Sequence, residues 1–180
     1  YSHLAALEVY PDAEIIPCKT FDECFVKAQK NEKIKIIIPE SNKTTGNIGI
    51  EYLIFKYRLN IYAEHFHRIE HNLLGIKGAK ITDIQNVLSH SQGLSQCSDY
   101  IKKNNLVENV RADTAGSAES ISQNNKISDA AIASKLSAKI YKLDVIASNI
   151  ENEKGNTTRF LIMGKSIQQP ELRKKKYITS

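Results

Sequence analysis

The chain has 180 residues, of which 41% are hydrophobic and 25% are charged, a composition typical of a folded globular protein. No apolar run approaches the roughly 20 residues that cross a membrane. The formal charge is +5, but a single basic run near the end of the chain supplies four of those positive charges, so the charge does not indicate a nucleic-acid-binding surface. The run consists of Arg173, Lys174, Lys175 and Lys176.

Three cysteines, Cys18, Cys24 and Cys97, occur without any Cys-x-x-Cys pair. This odd number argues against a disulfide framework and against a zinc site, and it predicts reduced thiols in a cytoplasmic protein. The chain starts at Tyr1 with neither an initiator Met nor the charge and apolar core of a signal peptide. We therefore expect that the first residues of the protein are missing from this sequence.

The first segments alternate in character between helix and strand. A helix capped by Ser2 is predicted over residues 2–10, and a short strand over residues 13–17. Residues 20–23 have the form of a capping box, so a second helix should begin there. Its apolar face is expected to be buried through Phe21, Cys24, Phe25 and Ala28.

A β-branched strand is predicted over residues 34–38 and is expected to end at Pro39. Residues 39–46 would then form a loop at the carboxyl end of this strand, which is the edge of an open α/β sheet where ligands usually bind. A helix over residues 47–57 and a strand over residues 60–69 complete this part.

The second half continues the alternation, which predicts an α/β fold. Asp113 is interpreted as a helix cap and not as a catalytic acid, and Ser134 as the cap of a later helix. Strands are predicted over residues 87–90, 130–133, 145–146 and 159–163. Helices are predicted over residues 91–103, 113–122 and 134–143, and residues 168–176 as a linker.

Ser89 and Gln96 lie on either side of the predicted start of the helix over residues 91–103. Exposed backbone N–H groups at such a start favour an anion, so these side chains could hold a carboxylate. Alternatively, Ser89 or Ser91 merely caps the helix and Gln96 lies at the surface. The pattern alone leaves both interpretations open.

Thr157, Thr158 and Arg159 offer two hydroxyls and a permanent cation. Arginine is suited to binding a carboxylate through two hydrogen bonds. The alternative is an ordinary strand whose threonines reflect β-propensity and whose arginine makes a structural ion pair.

His65, His67 and His71 occupy odd positions of one extended segment, so their side chains could share a face and bind a metal ion. No carboxylate or cysteine completes a spacing typical of zinc. Half-buried histidines of a strand are the alternative, and no metal site is expected.

Several segments, in the same order along nearly the whole chain, resemble blocks of the catalytic domain of prephenate dehydratases, in the form found in alphaproteobacteria. One of them resembles the Ser-His-x-x-x-Leu-x-Gln-Cys segment of that family, and another its Thr-Arg-Phe signature. The segments are residues 1–6, 9–21, 64–66, 71–75, 89–97, 113–118, 130–134 and 156–160.

The resemblance implies that the protein removes carbon dioxide and water from prephenate, giving phenylpyruvate in phenylalanine biosynthesis, without a metal or an organic cofactor. It implies two catalytic residues. Thr158 would contact the departing ring hydroxyl, through a hydrogen-bond relay, and Arg159 would organise the site or face a carboxylate. The implied substrate-binding residues are Asn42, Lys43, Ser89, Gln96, Thr157 and Phe160.

The resemblance also implies an α/β fold with two lobes, like the type II periplasmic binding proteins, and a ligand cleft between the lobes. Residues 1–72 and 155–170 would form lobe 1, and residues 73–154 lobe 2. Residues 171–180 would lead to a phenylalanine-sensing ACT domain that this sequence does not include. The family resemblance suggests a homodimer or homotetramer, whereas the thiols predict a cytoplasmic location and the charge and hydropathy predict no nucleic-acid or membrane partner.

One family block is altered. The usual loop reads Pro-Ile-Glu-Asn-Ser-x-x-Gly, whereas residues 39–46 keep its spacing and Asn42 but place Ser41 at the glutamate position and Lys43 at the serine position. Either activity is retained at a reduced level, or the protein is a non-catalytic or repurposed small-carboxylate binding protein. A shift by one residue would return Glu40 to the site, but only with a change in strand geometry. A secreted binding protein of the same fold is a more distant alternative.

Overall fold

The computed structural model describes residues 1–166. The chain divides into two compact units, each built around one β-sheet. Among the described residues, the four-stranded unit comprises Ser2–Asn42, Gly46–His67 and residues 158–166. The five-stranded unit comprises Tyr1, Lys43–Thr45 and Arg68–Thr157.

Helices and strands alternate along the described residues, so the predicted α/β class is confirmed. The helices are α1 (Ser2–Val9), α2 (Phe21–Lys30), α3 (Glu51–Tyr57), α4 (Ser91–Gln96), α5 (Ser98–Lys103), α6 (Thr114–Asn124), α7 (Lys135–Tyr141) and a short 3₁₀ helix (Ile81–Asp83). The strands are β1 (Ile36–Asn42), β2 (Gly46–Asn47), β3 (Asn60–Arg68), β4 (Asn72–Gly75), β5 (Asn86–Ser89), β6 (Val107–Val110), β7 (Asp129–Ala133), β8 (Asp144–Ser148) and β9 (Thr157–Gly164).

The four-stranded sheet has the order β2-β1-β9-β3, and β1 runs antiparallel to both β2 and β9. Its core is formed where helices α2 and α3 contribute Phe25 and Leu53 against Ile38 and Met163 of the sheet. All four side chains are at most 2% exposed. This packing fixes the register of β1 on β9, and that register places the residues described below.

The five-stranded sheet has the order β6-β5-β7-β4-β8. Strand β5 is parallel to β6 and β7, and β4 is antiparallel to β7 and β8. Strand β4 is buried at all four positions and β7 at every position after Asp129, as expected for strands covered on both faces. Two groups of buried side chains, around Leu73 and Leu74, form its core.

Strand β1 continues through Pro39 to Asn42, so the prediction that Pro39 ends the strand and opens a loop is wrong. Proline is tolerated in a sheet at edges and bulges. Pro39 meets both conditions, because β2 pairs only with Ser41 and Asn42, and the pairing with β9 shifts register between Pro39 and Ser41.

The predicted helix over residues 91–103 is divided into α4 and α5 at Cys97, which has non-helical dihedral angles (φ −117°, ψ 16°). The carbonyl of Gln96 accepts a 2.7 Å hydrogen bond from the backbone N–H of Asn152. A partner distant in the chain therefore satisfies a carbonyl that a continuous helix would have used.

Three further local predictions are wrong. Residues 13–17 form no strand, Phe21 is 38% exposed instead of buried, and the helix expected from residue 47 starts at Glu51 because Gly46–Asn47 forms β2. The caps of α6 and α7 are confirmed. Asp113 accepts a hydrogen bond from the N–H of Gly116, and Ser134 accepts one from that of Ser137.

The strands predicted near residues 60–69, 87–90, 130–133, 145–146 and 159–163 are present. The predicted linker over residues 168–176 lies outside the described residues. Over residues 1–166, no helix is long and apolar enough to cross a membrane.

Candidate active site

A β-bulge in β1 determines which side chains share a face. Pro39 pairs with Phe160 and Ser41 pairs with Arg159, so Glu40 is an extra residue on β1. Such a bulge bends the strand and turns its side chains. Beyond the bulge the regular pairing resumes, with Asn42 opposite Thr158.

Asn42 and Thr158 form a buried hydrogen bond. The side-chain amide Nδ2 of Asn42 donates to Oγ1 of Thr158 at 2.8 Å, and the two residues are 8% and 6% exposed. Because the Thr158 oxygen accepts this bond, the hydroxyl retains its own hydrogen for donation in another direction. A hydroxyl whose oxygen accepts a hydrogen bond is a stronger donor, since bonded groups polarise one another.

Arg159 lies on the other side of β9 from Thr158, because successive side chains of a strand alternate. Its Nε donates to Glu64 at 2.7 Å, and its Nη1 lies 3.4 Å from the carboxylate of Glu40. Ser41 also donates to Glu40, at 2.6 Å. Arg159 therefore makes a structural ion pair, which is the alternative that the sequence left open. One of its two partners, Glu40, is the bulged residue of β1.

In the five-stranded unit, a chain of hydrogen bonds runs from Tyr1 to Asn156. The Tyr1 hydroxyl lies 2.8 Å from Nδ1 of His71, and Nε2 of His71 lies 2.7 Å from Oε1 of Gln96. Gln96 donates through Nε2 to Thr44 at 2.7 Å, and Thr44 donates to Asn156 at 3.3 Å. When His71 is neutral and carries its proton on Nε2, it donates to Gln96, while the single proton of Tyr1 has two possible acceptors, Nδ1 of His71 and the carbonyl oxygen of Glu70 at 3.0 Å.

The electrostatic environment favours that neutral state. Burial lowers the pKa of His71 below its ordinary value, and the hydrogen bond with Gln96 acts in the opposite direction but does not overcome it. Burial also raises the pKa of the Tyr1 hydroxyl well above its ordinary value. The tyrosine hydroxyl therefore stays protonated, and Gln96 is held by hydrogen bonds at both ends of its amide.

Ser89 is fully buried, and its hydroxyl donates to the carbonyl of Ile132 on the neighbouring strand at 2.8 Å. Neither Ser89 nor Ser91 caps α4, so the alternative interpretation that one of them merely caps this helix is wrong. The cap is His90, whose ring accepts a 3.3 Å hydrogen bond from the N–H of Gln92. Since the single proton of Ser89 is already donated, its hydroxyl can only accept a bond from a ligand.

The other predicted substrate-binding residues are placed as follows. Thr157 donates to the carbonyl of Gly155 at 3.2 Å, and the backbone N–H of Lys43 donates to the carbonyl of Thr157 at 2.9 Å. Phe160 is 1% exposed, and its ring lies edge-on to that of His67 at a centroid distance of 6.4 Å. The structure thus brings Lys43 and Thr157 together in one unit and Asn42 and Thr158 in the other.

The three histidines of the extended segment do not form one group. His65 and His67 both contact Glu8, whereas His71 belongs to the hydrogen-bond chain of the five-stranded unit. Strand β3 ends at Arg68, before His71, so the regular alternation of side chains does not reach it.

Sequence reasoning did not single out Thr44 or the contact between His71 and Gln96. Successive partners in the hydrogen-bond chain are 25 to 112 positions apart, and no local spacing indicates such contacts. The available signal was that His71 and Gln96 each lie in a block that resembles the same family.

Comparisons with known proteins agree with the resemblance. The family model described as prephenate dehydratase matches residues 1–168. A relative from Arabidopsis thaliana, "Arogenate dehydratase/prephenate dehydratase 1, chloroplastic", is 39% identical over 173 residues, which cover 94% of this chain and 44% of the relative. The chain therefore spans less than half the length of that relative.

Two solved structures are similar in fold. The one described as "GqqA- a novel type of quorum quenching acylases" has a TM-score of 0.86 and 31% identity, covering 94% of this chain and 62% of that one. The prephenate dehydratase of Arthrobacter aurescens, solved in complex with L-Phe, has a TM-score of 0.86 and 23% identity, covering 96% of this chain and 59% of that one. The predicted fold class is thereby confirmed, and together with the match over residues 1–168 these findings show that the chain belongs to the prephenate dehydratase family.

Proposed function

We propose that this chain carries out the dehydratase reaction itself, the conversion of prephenate to phenylpyruvate in phenylalanine biosynthesis. The observation that carries the proposal is the buried hydrogen bond from Asn42 to Thr158. It joins the residue retained in the altered loop to the threonine of the Thr-Arg-Phe signature.

The reaction requires little covalent chemistry from the protein. The C–C bond to the ring carboxylate breaks, its electron pair enters the ring, and carbon dioxide leaves. The ring C–O bond breaks at the same time, and the departing hydroxide takes up one proton to leave as water. Formation of the aromatic ring makes the reaction favourable, so positioning and assistance to the hydroxide are the main tasks.

Thr158 is proposed as the group that hydrogen-bonds the departing hydroxyl. A threonine hydroxyl is a weak acid, so it acts as a donor within a relay and not as the sole source of the proton. Asn42 fills an acceptor position on the Thr158 oxygen, which leaves the Thr158 hydrogen for the substrate. An oriented donor at a developing oxyanion lowers the barrier because it needs no reorganisation during the reaction.

Arg159 is proposed to organise this site through Glu40. Its ion pair with the bulged residue holds the part of β1 that leads to Asn42. Lys43 adds an exposed positive charge, which attracts a dicarboxylate. The other residues proposed for substrate binding are Ser89, Gln96, Thr157 and Phe160.

The proposed oligomeric state and phenylalanine sensing rest on the family resemblance, and the proposed cellular location rests on the thiols. Cys18, Cys24 and Cys97 are free, which supports a cytoplasmic location, where thiols stay reduced. We propose a homodimer or homotetramer. Sensing of phenylalanine is proposed for an ACT domain outside this chain.

Purified full-length protein supplied with prephenate, and in parallel with arogenate, tests the proposal. Formation of phenylpyruvate from prephenate is the expected result, and phenylalanine as the product from arogenate would identify the alternative substrate. Ser41 in place of the family's glutamate favours one competing function, a small-carboxylate binding protein. Binding of prephenate without any product would support that function and refute the proposed one.

A further inference from the structure

Glu8, His65 and His67 form a cluster of metal-binding side chains in the four-stranded unit. Oε2 of Glu8 lies 2.7 Å from Nε2 of His65, and both Glu8 oxygens lie 3.0 Å from Nδ1 of His67. The three donor atoms all lie within 4.8 Å of one another. We propose that this cluster binds a divalent transition-metal ion, with zinc as the preferred ion.

The backbone explains why the two imidazoles converge. His65 and His67 are two residues apart on β3, so both side chains project from the same face of the strand. Glu8 lies in the last turn of α1 and reaches both rings. Two secondary-structure elements that are far apart in the chain therefore supply the ligands.

The distances suit zinc. Zinc is bound by histidine nitrogens and carboxylate oxygens at about 2.0–2.2 Å in a tetrahedral arrangement, which places neighbouring ligand atoms about 3.4 Å apart. The donor atoms here are already between hydrogen-bond distance and 4.8 Å from one another. Side-chain adjustments of less than about 1 Å would admit an ion in place of the hydrogen bonds.

Two histidines and one carboxylate also match the ligand set of open zinc sites, in which water occupies the fourth position. Imidazole ligands favour zinc, copper or nickel over calcium or magnesium, which prefer oxygen ligands. The exposed fractions of the side chains are 48% for Glu8, 26% for His65 and 9% for His67, so an ion can enter from the side of the carboxylate.

The charge of the cluster supports the same assignment. A glutamate carboxylate adds a negatively charged oxygen ligand to the two imidazoles. Because Phe160 packs edge-on against the His67 ring, that ring is held in place before an ion arrives.

An ion bound to this cluster would link helix α1 to strand β3. A ligand that binds the folded state alone stabilises it, so zinc should raise the melting temperature in a concentration-dependent manner. The proposal is independent of the dehydratase reaction, because no cluster residue is proposed to act on the substrate. It can therefore be tested without an activity assay.

The experiment is titration of the full chain, without a polyhistidine tag, with Zn²⁺ by calorimetry and with Co²⁺ by visible absorption. We expect one ion per chain and the intense visible bands of a four-coordinate Co²⁺ ion. Glu8→Gln and His65→Gln should each weaken binding at least tenfold and remove those bands. His3→Gln changes an exposed histidine of the same helix that lies outside the cluster, and it should bind as the unchanged protein does.

His67→Gln alters a nearly buried side chain, so the two more exposed variants carry the test, and circular dichroism checks that they are folded. Equal affinity of Glu8→Gln, His65→Gln and the unchanged protein would overturn the proposal. So would Co²⁺ that binds with only the weak bands of the hydrated ion, since the three side chains would then not be its ligands.

Discussion

Asn42 and Thr158 are 116 positions apart in the sequence, yet they are joined by a buried 2.8 Å hydrogen bond. The bond exists because β1 and β9 pair in a register that places the two residues opposite each other. Its direction is important, since Asn42 donates and Thr158 accepts. This direction leaves the hydroxyl hydrogen of Thr158 for another acceptor.

Reversing that direction should impair turnover. In Asn42→Asp a carboxylate would accept the Thr158 hydrogen, and a negative charge would be added where a dicarboxylate is expected to bind. We expect kcat to fall by about 10²-fold or more, as is typical when a positioned acid–base group is lost. Steady-state kinetics with prephenate measures the effect. Asn124→Asp adds the same charge at an exposed position of α6 and should leave kcat unchanged.

Arg159 should affect turnover more than stability. Arg159→Lys keeps the positive charge but cannot contact Glu64 and Glu40 through one planar group. Its side chain is 40% exposed, and exposed ion pairs contribute about 0–1 kcal/mol to the free energy of unfolding. We expect kcat to fall about tenfold or more, because small displacements of catalytic groups are costly.

Urea denaturation and kinetics on the same variant separate these two effects. Glu64→Gln serves as the control, because it changes one contact of Arg159 and leaves the contact with Glu40. Unaltered kcat in Arg159→Lys together with lower stability would show that Arg159 is a structural residue only.

His71 should make stability depend on pH. Its pKa is lowered by burial in the folded protein, so between that value and about 6.5 the unfolded chain binds more protons than the folded chain. The free energy of unfolding should therefore be fully retained above pH 6.5 and decline as the pH falls through this window.

The measurement is the free energy of unfolding by urea between pH 5 and pH 8. In His71→Gln the decline just below pH 6.5 should be reduced, whereas in His3→Gln, which changes an exposed histidine, it should persist. An identical decline in His71→Gln and the unchanged protein would assign the pH dependence to other groups.

The cap of α6 offers a prediction about folding alone. Oδ1 of Asp113 accepts a 2.6 Å hydrogen bond from the N–H of Gly116. Asp113→Ala should reduce the free energy of unfolding by about 0.5–2 kcal/mol, the usual effect of losing such a cap. Asp113→Asn retains a capping oxygen and should lose much less. Equal losses in the two variants would indicate that charge, and not capping, is the source of the effect.

Local signals predicted the parts of the fold that local interactions determine. The caps at Asp113 and Ser134 depend on residues three positions away. The prediction that Pro39 ends the strand was wrong because a proline at this position of a sheet is tolerated only where β2 ends and where a bulge lies opposite β9. Neither feature is encoded near Pro39 itself.

The contacts of the candidate site likewise could not be predicted from local sequence. Family blocks identified Asn42 and Thr158, but their hydrogen bond depends on strand register. The pairing of Glu8 with His65 and His67 could not be read from spacing, because 57 and 59 positions separate the partners. The break between α4 and α5 likewise depends on Asn152, a residue distant in the chain.

The central claim is that the hydroxyl of Thr158 acts on the departing oxygen, and removal of that hydroxyl tests it most directly. Thr158→Val keeps the shape of the side chain, Thr158→Ser keeps the hydroxyl, and Thr82→Val makes the same change at an exposed position. For full-length protein with prephenate, we predict that kcat falls by about 10²–10⁴-fold in Thr158→Val, stays within about tenfold in Thr158→Ser, and is unchanged in Thr82→Val. A kcat for Thr158→Val equal to that of the unchanged protein would contradict the account.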